Sequence, residues 1–176
     1  MPRSALLVFC LLALTGCRFN LWGHLQEKPT TREVTGTYRL DLAQSKERLQ
    51  KMGYDQFDGW ITLAQDGGFT AEQIPACCVH GWDETTYPFS GGYYRLSGTW
   101  EIVKTEAVYD VRLTLYRADL RGESPSYDKS SPDNRYSPRE APQELKVSIL
   151  EGRPLYLGFA VFNGDFDHVI FSPKRD

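Results

Sequence analysis

The chain concentrates its reactive side chains in one short segment, where Cys77 and Cys78 are adjacent and His80 follows closely. Thiol redox chemistry and soft-metal binding are the reactions that these residue types support. Zinc sites usually space their cysteines two to four residues apart, so this spacing fits a metal poorly. Adjacent Cα atoms lie about 3.8 Å apart, below the roughly 4.4–6.8 Å of ordinary disulfides. We expect a strained vicinal disulfide in a rigid loop, with a metal site or unbridged thiols as the alternatives.

The rest of the sequence carries no recognised catalytic signature. It has three histidines, and it lacks a Gly-x-Ser-x-Gly elbow, a His-Glu-x-x-His helix, a P-loop and a dinucleotide fingerprint. The pair Asp83 and Glu84 falls in a turn-like stretch, where such residues usually form turns. The net charge of −3 includes no basic patch that would indicate nucleic-acid binding. We therefore expect a protein that is not an enzyme and needs no metal or cofactor.

A third cysteine, Cys17, has a different context. Arg3 precedes an apolar run over residues 5–14, and small residues follow, which is the design of a secretory signal peptide. The run is too short to span a bilayer, which takes about 20 apolar residues. The residues Leu14-Thr15-Gly16-Cys17 resemble the lipobox of bacterial lipoproteins. The resemblance implies a signal peptide over residues 1–16 and a diacylglycerol on the Cys17 thiol, whereas the alternative is an ordinary signal peptide.

The same resemblance implies a location. Arg18 stands where many inner-membrane lipoproteins carry aspartate, so we expect a cell-envelope protein held at the outer membrane and facing the periplasm. Residues 17–33 are then the lipidated N-terminus and a spacer. Four apolar residues in this spacer have the spacing of one helix face: Phe19, Leu21, Trp22 and Leu25. They either lie in the headgroup layer or plug one end of the folded domain, and we favour the plug.

Residues 34–173 have the pattern of a single, mainly β domain. Short alternating segments are separated by turn residues such as Asp66-Gly67-Gly68, which predicts a hairpin. A strand bent at Gly98 is also expected. We predict an antiparallel meander of about eight strands that closes into a small barrel, with one short helix, capped at Asp41, after the first strand. A Pro- and Ser-rich stretch over residues 118–143 is expected to be a long loop.

The first strand carries Gly36-Thr37-Tyr38, where lipocalins place a Gly-x-Trp motif. The layout of residues 34–171 resembles a calycin or lipocalin-like barrel. This resemblance implies a small apolar ligand in the barrel interior. The candidate lining residues are Trp60, Trp82 and Trp100.

A second function fits the same pattern. Barrels of eight strands are either filled by side chains or hold one small ligand, and strand count does not distinguish the two. In a filled barrel, loops 75–92 and 118–143 would contact a partner protein of the envelope. Both functions are expected to depend on attachment to the membrane through the N-terminal lipid.

Overall fold

The computed structural model describes residues 23, 25, 27–80, 92–106, 108–122, 143–161 and 168–174. Among the described residues, the helices are α1 (Thr31–Val34), α2 (Leu42–Lys51) and α3 (Ala76–His80). Its strands are β1 (Gly36–Leu40), β2 (Trp60–Leu63), β3 (Gly68–Pro75), β4 (Tyr93–Thr105), β5 (Val108–Arg121), β6 (Glu144–Leu150), β7 (Tyr156–Ala160) and β8 (His168–Pro173).

The eight strands form a closed barrel in which each strand is antiparallel to its neighbours in sequence. β8 pairs with β1, so Arg39 lies opposite Ser172 and the ring is complete. The predicted fold class, a mainly β meander closed into a small barrel with a helix after the first strand, is confirmed. The hairpin at residues 64–68 is also confirmed, since Gly67 has φ of +85° and the Gly68 N–H donates to the Asp66 carboxylate.

The strand pair β4 and β5 contains the irregularity expected at Gly98. Ser97 lies opposite Arg117 and Gly98 lies opposite Leu115, so Tyr116 is the extra residue of a β-bulge. A Cβ on Gly98 would overlap the Thr114 carbonyl oxygen, which is why glycine stands here.

The same bulge corrects the expected boundaries of the long loop. Residues 118–121 belong to β5, which continues to Arg121 against the start of β4. The bulge shifts the alternation of β5 by one residue, so the continuation is hidden from a strict two-residue period. Residues 123–142 of the expected loop lie outside the described residues.

The two ends of the barrel differ. We call the end with the start of β1, the 64–67 turn and the 151–155 connection the N-terminal end. The Gly23 carbonyl there accepts a hydrogen bond from Glu151 N, and Leu25 bonds to Ile149 and Tyr109 through its backbone. Leu25 also packs against the core, which agrees with the plug interpretation for this one residue. Phe19, Leu21 and Trp22 lie outside the described residues.

α1 helps to close the N-terminal end. Thr30 and Glu33 form a reciprocal capping box, in which Glu33 N donates to Thr30 Oγ1 and Thr30 N donates to the Glu33 carboxylate. The helix carries the fully buried Val34 into the core. The Tyr38 hydroxyl donates a 2.8 Å hydrogen bond to the Val34 carbonyl oxygen, which ties α1 to the barrel interior.

We call the opposite end, which carries α2 and α3, the helical end. α2 buries Leu49 there and replaces the strand neighbour that β8 lacks beyond the end of β1. Ile170 N donates to Ser45 Oγ at 2.9 Å, and Arg48 donates to the His168 carbonyl at 2.7 Å. Asp41 is the N-cap residue of α2, as predicted, although its carboxylate makes no hydrogen bond to the helix backbone. Within the described part of the chain, no helix has the length and apolar character needed to span a membrane.

Candidate functional site

In the part of the chain that the structure describes, the barrel interior is packed with side chains of the protein itself. A side chain that borders a space large enough for a water molecule keeps some exposed area. Many inward side chains of β2 and of β5 to β8 have no exposed area, so they border no such space. Those with 0% exposure are Ile61, Leu63, Val111, Leu113, Val147, Ile149, Leu157, Val169 and Phe171. Phe159 and Phe171 pack with their ring centroids 5.3 Å apart. Dense packing of this kind is normal for a protein core, in which voids larger than a water molecule are few.

Trp100 belongs to this filled interior. It is 6% exposed, and its indole N–H donates a 2.8 Å hydrogen bond to the Ala64 carbonyl in the turn between β2 and β3. The polar atom of Trp100 is thus used by the protein, and the ring packs in the core cluster.

Trp60 occupies the other side of the barrel wall. It alternates with the fully buried Ile61 in β2, so it lies on the outer face, and it is only partly buried. Its direct neighbours across the sheet are Arg39 and Glu72. This corrects the expectation that Trp60 lines the interior. Trp82 and Cys17, the other residues with an expected site role, lie outside the described residues.

The cysteine segment forms the short helix α3 rather than an irregular loop. Cys77 and Cys78 are both buried and are free thiols. Successive side chains of a helix point about 100° apart at 3.6 residues per turn, so a bond between these two sulfurs requires α3 to rearrange. The vicinal disulfide stays a prediction. In the described part of the chain, no three His, Cys, Asp or Glu side chains are grouped to hold a metal ion.

Tyrosines hold α3 against the helical end. Tyr54 Oη accepts a 2.9 Å hydrogen bond from Cys77 N, and its ring meets Tyr93 edge to face with centroids 5.5 Å apart. Tyr93 Oη in turn accepts hydrogen bonds from the backbone N–H groups of residues 55 and 56. The Tyr94 hydroxyl lies 2.7 Å from His80 Nε2. These phenols connect α3 to β4 and to the segment after α2.

The electrostatics of this cluster suppress thiolate chemistry. Burial raises the pKa of the Cys78 thiol well above its usual range, and a hydrogen bond with Cys77 adds to the effect. Burial likewise raises the pKa of the neighbouring Tyr54 phenol. Because the thiolate is the form that attacks electrophiles and binds metals, a neutral and enclosed thiol is unreactive. The cluster is suited to holding the helical end together.

Sequence reasoning missed the roles of Tyr54, Tyr93 and Tyr94. Their partners lie far away along the chain, and only the local pattern of strand residues is visible in the sequence. The signal that was available is the position of Tyr93 and Tyr94, which open a strand directly after a glycine pair and next to the expected cysteine loop.

One edge of β5 next to the helical end, which we call the open edge, has no partner strand among the described residues. β6 pairs with β5 only from Asp110 to Thr114, and the Leu115 N–H donates to the Gln143 carbonyl. From Tyr116 to Arg121, no described strand pairs with this edge of β5. Two of the three large apolar side chains that are exposed in the described residues lie on this segment, Tyr116 at 74% and Leu120 at 43%.

The geometry therefore assembles an enclosed tyrosine and cysteine cluster and an open β5 edge toward one end of a filled barrel, while the N-terminal segment attaches at the other end. In comparisons with known proteins, no family model, no curated protein and no solved structure matches this chain.

Proposed function

We propose that the chain is a lipid-anchored lipoprotein of the bacterial cell envelope, at the outer membrane and facing the periplasm, and that it binds a partner protein instead of catalysing a reaction. The observation that carries the proposal is the open edge of β5 between Tyr116 and Arg121. An exposed strand edge offers unpaired N–H and C=O groups, to which an extended segment of another protein can add as a further strand.

The exposed side chains support this mode of binding. Tyr116 and Leu120 leave apolar surface exposed on this segment, and this surface is available to a partner. Aromatic side chains are enriched at protein interfaces because they bury a large area. Arg117 and Asp119 form a 2.7 Å ion pair on the same segment. Charges on an edge strand limit indiscriminate pairing, so this edge favours a selective partner.

The position of the anchor supports the same arrangement. Cys17 precedes Gly23 by six residues, which extend to at most about 20 Å. Gly23 and Leu25 are held by backbone hydrogen bonds at the N-terminal end of the barrel. A lipid on Cys17 would keep this end near the bilayer, so the helical end would point away from the membrane, toward partner proteins.

The filled interior favours this proposal over an apolar ligand inside the barrel. A ligand would have to displace side chains that are already fully buried, such as Phe171, Leu113 and Ile149. Opening such a core forfeits packing and burial that stabilise the fold.

A crosslinking experiment in cells tests the partner. We would replace Tyr116 with the photoreactive analogue benzoylphenylalanine in the full-length protein and irradiate intact cells. We expect an adduct with one discrete protein band, and we expect a second change, Leu120→Lys, to abolish it because a lysine would disrupt apolar contact along the edge.

The matched control is Thr70, an exposed residue on the outer face of β3. β3 is paired on both edges, so it offers no free strand to a partner. Equal adducts from Thr70 and Tyr116, or an adduct that survives Leu120→Lys, would contradict strand addition at β5.

Two further measurements test the remainder of the proposal. Cys17→Ser should release the protein from the membrane fraction, and a fully acylated, membrane-bound mature form of this variant would refute the anchor. Native mass spectrometry of the purified protein should give the mass of the processed and acylated chain alone. A retained apolar molecule would favour the ligand-binding alternative.

A further inference from the structure

A groove lies on the outer wall of the barrel, away from the open edge of β5. Its volume is about 480 Å³, within the roughly 300–1,000 Å³ range of small-molecule sites. β1, β8 and the start of β7 form its floor, together with the connection before β7. The lining residues are Arg39, Asp41, Pro154, Tyr156, Ser172, Pro173 and Lys174.

Strand register explains why these residues meet. Arg39 lies directly opposite Ser172 in the β1 and β8 pair. Leu157 lies opposite Phe171, so the preceding Tyr156 is next to Ser172 in the same register. The neighbours Leu157 and Phe171 point inward and are fully buried, so Arg39, Ser172 and Tyr156 form one row on the outer face.

The charges of the groove favour an anion. Among the described lining residues, Arg39 and Lys174 are the cations and Asp41 is the carboxylate. No described residue accepts a hydrogen bond from the Arg39 guanidinium or forms an ion pair with it. A guanidinium binds a carboxylate through two parallel N–H···O bonds, so Arg39 is the lining residue best suited to a carboxylate.

The remaining groups point to a ligand that also carries hydroxyls and an apolar face. The Asp41 carboxylate, which accepts a 3.3 Å hydrogen bond from Gln44, is an acceptor for sugar hydroxyls and would repel a compact anion such as phosphate. Pro154, Pro173 and the Tyr156 ring supply flat apolar surface, against which the C–H faces of a pyranose pack.

We propose that this groove binds an acidic saccharide, a sugar that carries a carboxylate. The carboxylate binds Arg39, the sugar hydroxyls donate to Asp41, and the ring packs on Tyr156. This site is independent of the open β5 edge, so its failure and that of the proposed protein partner are distinguishable.

Tryptophan fluorescence can report on binding, because Trp60 lies directly across from Arg39 in the β1 and β2 pair. The full-length protein in detergent would be titrated with sodium glucuronate and, separately, with glucose, which has the same ring without the carboxylate, and with inorganic phosphate. We expect glucuronate to change the fluorescence and to bind at least about tenfold more tightly than glucose or phosphate. Trp60→Phe should remove the signal and leave binding by calorimetry unchanged.

Variants of the lining residues test whether glucuronate binds in this groove. Arg39→Met should weaken glucuronate binding about tenfold or more, and Tyr156→Ala should weaken it as well. Arg112→Met, on the outer face of β5 beside Glu101, is the matched control and should bind normally. Equal binding of glucose or phosphate, equal loss in the Arg112 variant, or no binding of glucuronate at millimolar concentration would each overturn the proposal.

Discussion

The buried hydroxyl of Tyr38 should stabilise the fold near neutral pH and destabilise it at high pH. The side chain is 2% exposed, and its Oη donates a 2.8 Å hydrogen bond to the Val34 carbonyl. Burial raises the pKa of Tyr38 from its ordinary value of 10 to about 12. The substitution Tyr38→Phe removes the hydrogen bond and the titrating group while it keeps the ring.

The size of the effect follows from these two properties. Near neutral pH the variant loses one intramolecular hydrogen bond, which lowers the free energy of unfolding by about 1 kcal/mol. A pKa raised in the folded state stabilises the wild type fully below the unfolded-state value, and this contribution is lost as pH rises through the folded value. The loss amounts to about 1.4 kcal/mol by roughly pH 11 and approaches about 2.7 kcal/mol above the folded-state pKa.

Urea denaturation of both proteins at several pH values measures the difference. The wild type should be more stable by about 1 kcal/mol near pH 8, and the Phe variant should become the more stable protein at about pH 11. Other tyrosines titrate in both proteins, so their contributions cancel. Tyr116→Phe, at a ring that is 74% exposed, is the control and should change the free energy of unfolding less than Tyr38→Phe does. A wild-type advantage that stays constant over this range would refute the buried placement of Tyr38.

Two further predictions concern the bulge and the thiols. Gly98→Ala should lower the free energy of unfolding by about 2 kcal/mol or more, because the new Cβ meets the Thr114 carbonyl. Thr99→Ala, at the exposed neighbouring residue, is the control. An unchanged urea midpoint for Gly98→Ala would contradict the close approach of β4 and β5 at this position. Cys77 and Cys78 should resist a maleimide in the folded protein, because both are buried and burial raises the pKa of Cys78, and both should react in urea. Peptide mass spectrometry would show which cysteine is labelled. Labelling in the folded protein would show that α3 opens. Protection in urea that disappears after addition of a reductant would reveal the vicinal disulfide.

Most of the fold is readable from the sequence because each strand is specified locally. In β5 the inward residues Val111 and Leu113 alternate with Arg112 and Thr114, and this two-residue period survives in the structure. The period fails after Tyr116, where one extra residue shifts the inward face to Ala118 and Leu120. A bulge depends on the opposite strand, so the length of β5 could not be derived from its own residues.

The helices α1 and α3 were not predicted, for different reasons. α3 is nearly all buried, so the sequence Ala76–His80 has no polar face and no helical period. α1 did carry a local signal, since Thr30 and Glu33 have the spacing of a capping box.

The candidate sites could not be derived because they depend on strand register. Arg39, Tyr156 and Ser172 share one groove only because the last strand returns to the first. The position of Trp60 could not be derived for a similar reason, since its location on the inner or outer face of the barrel depends on which residues of β2 point inward.

The closure between β1 and β8 also constrains when the barrel can be completed. Ser45 and Ile170, which meet at this seam, are 125 residues apart in the chain. Contacts of such high sequence separation form slowly, since the entropy of closing the intervening chain must be lost first. A growing polypeptide cannot seal this ring before its final strand is synthesised, so late closure is built into the topology.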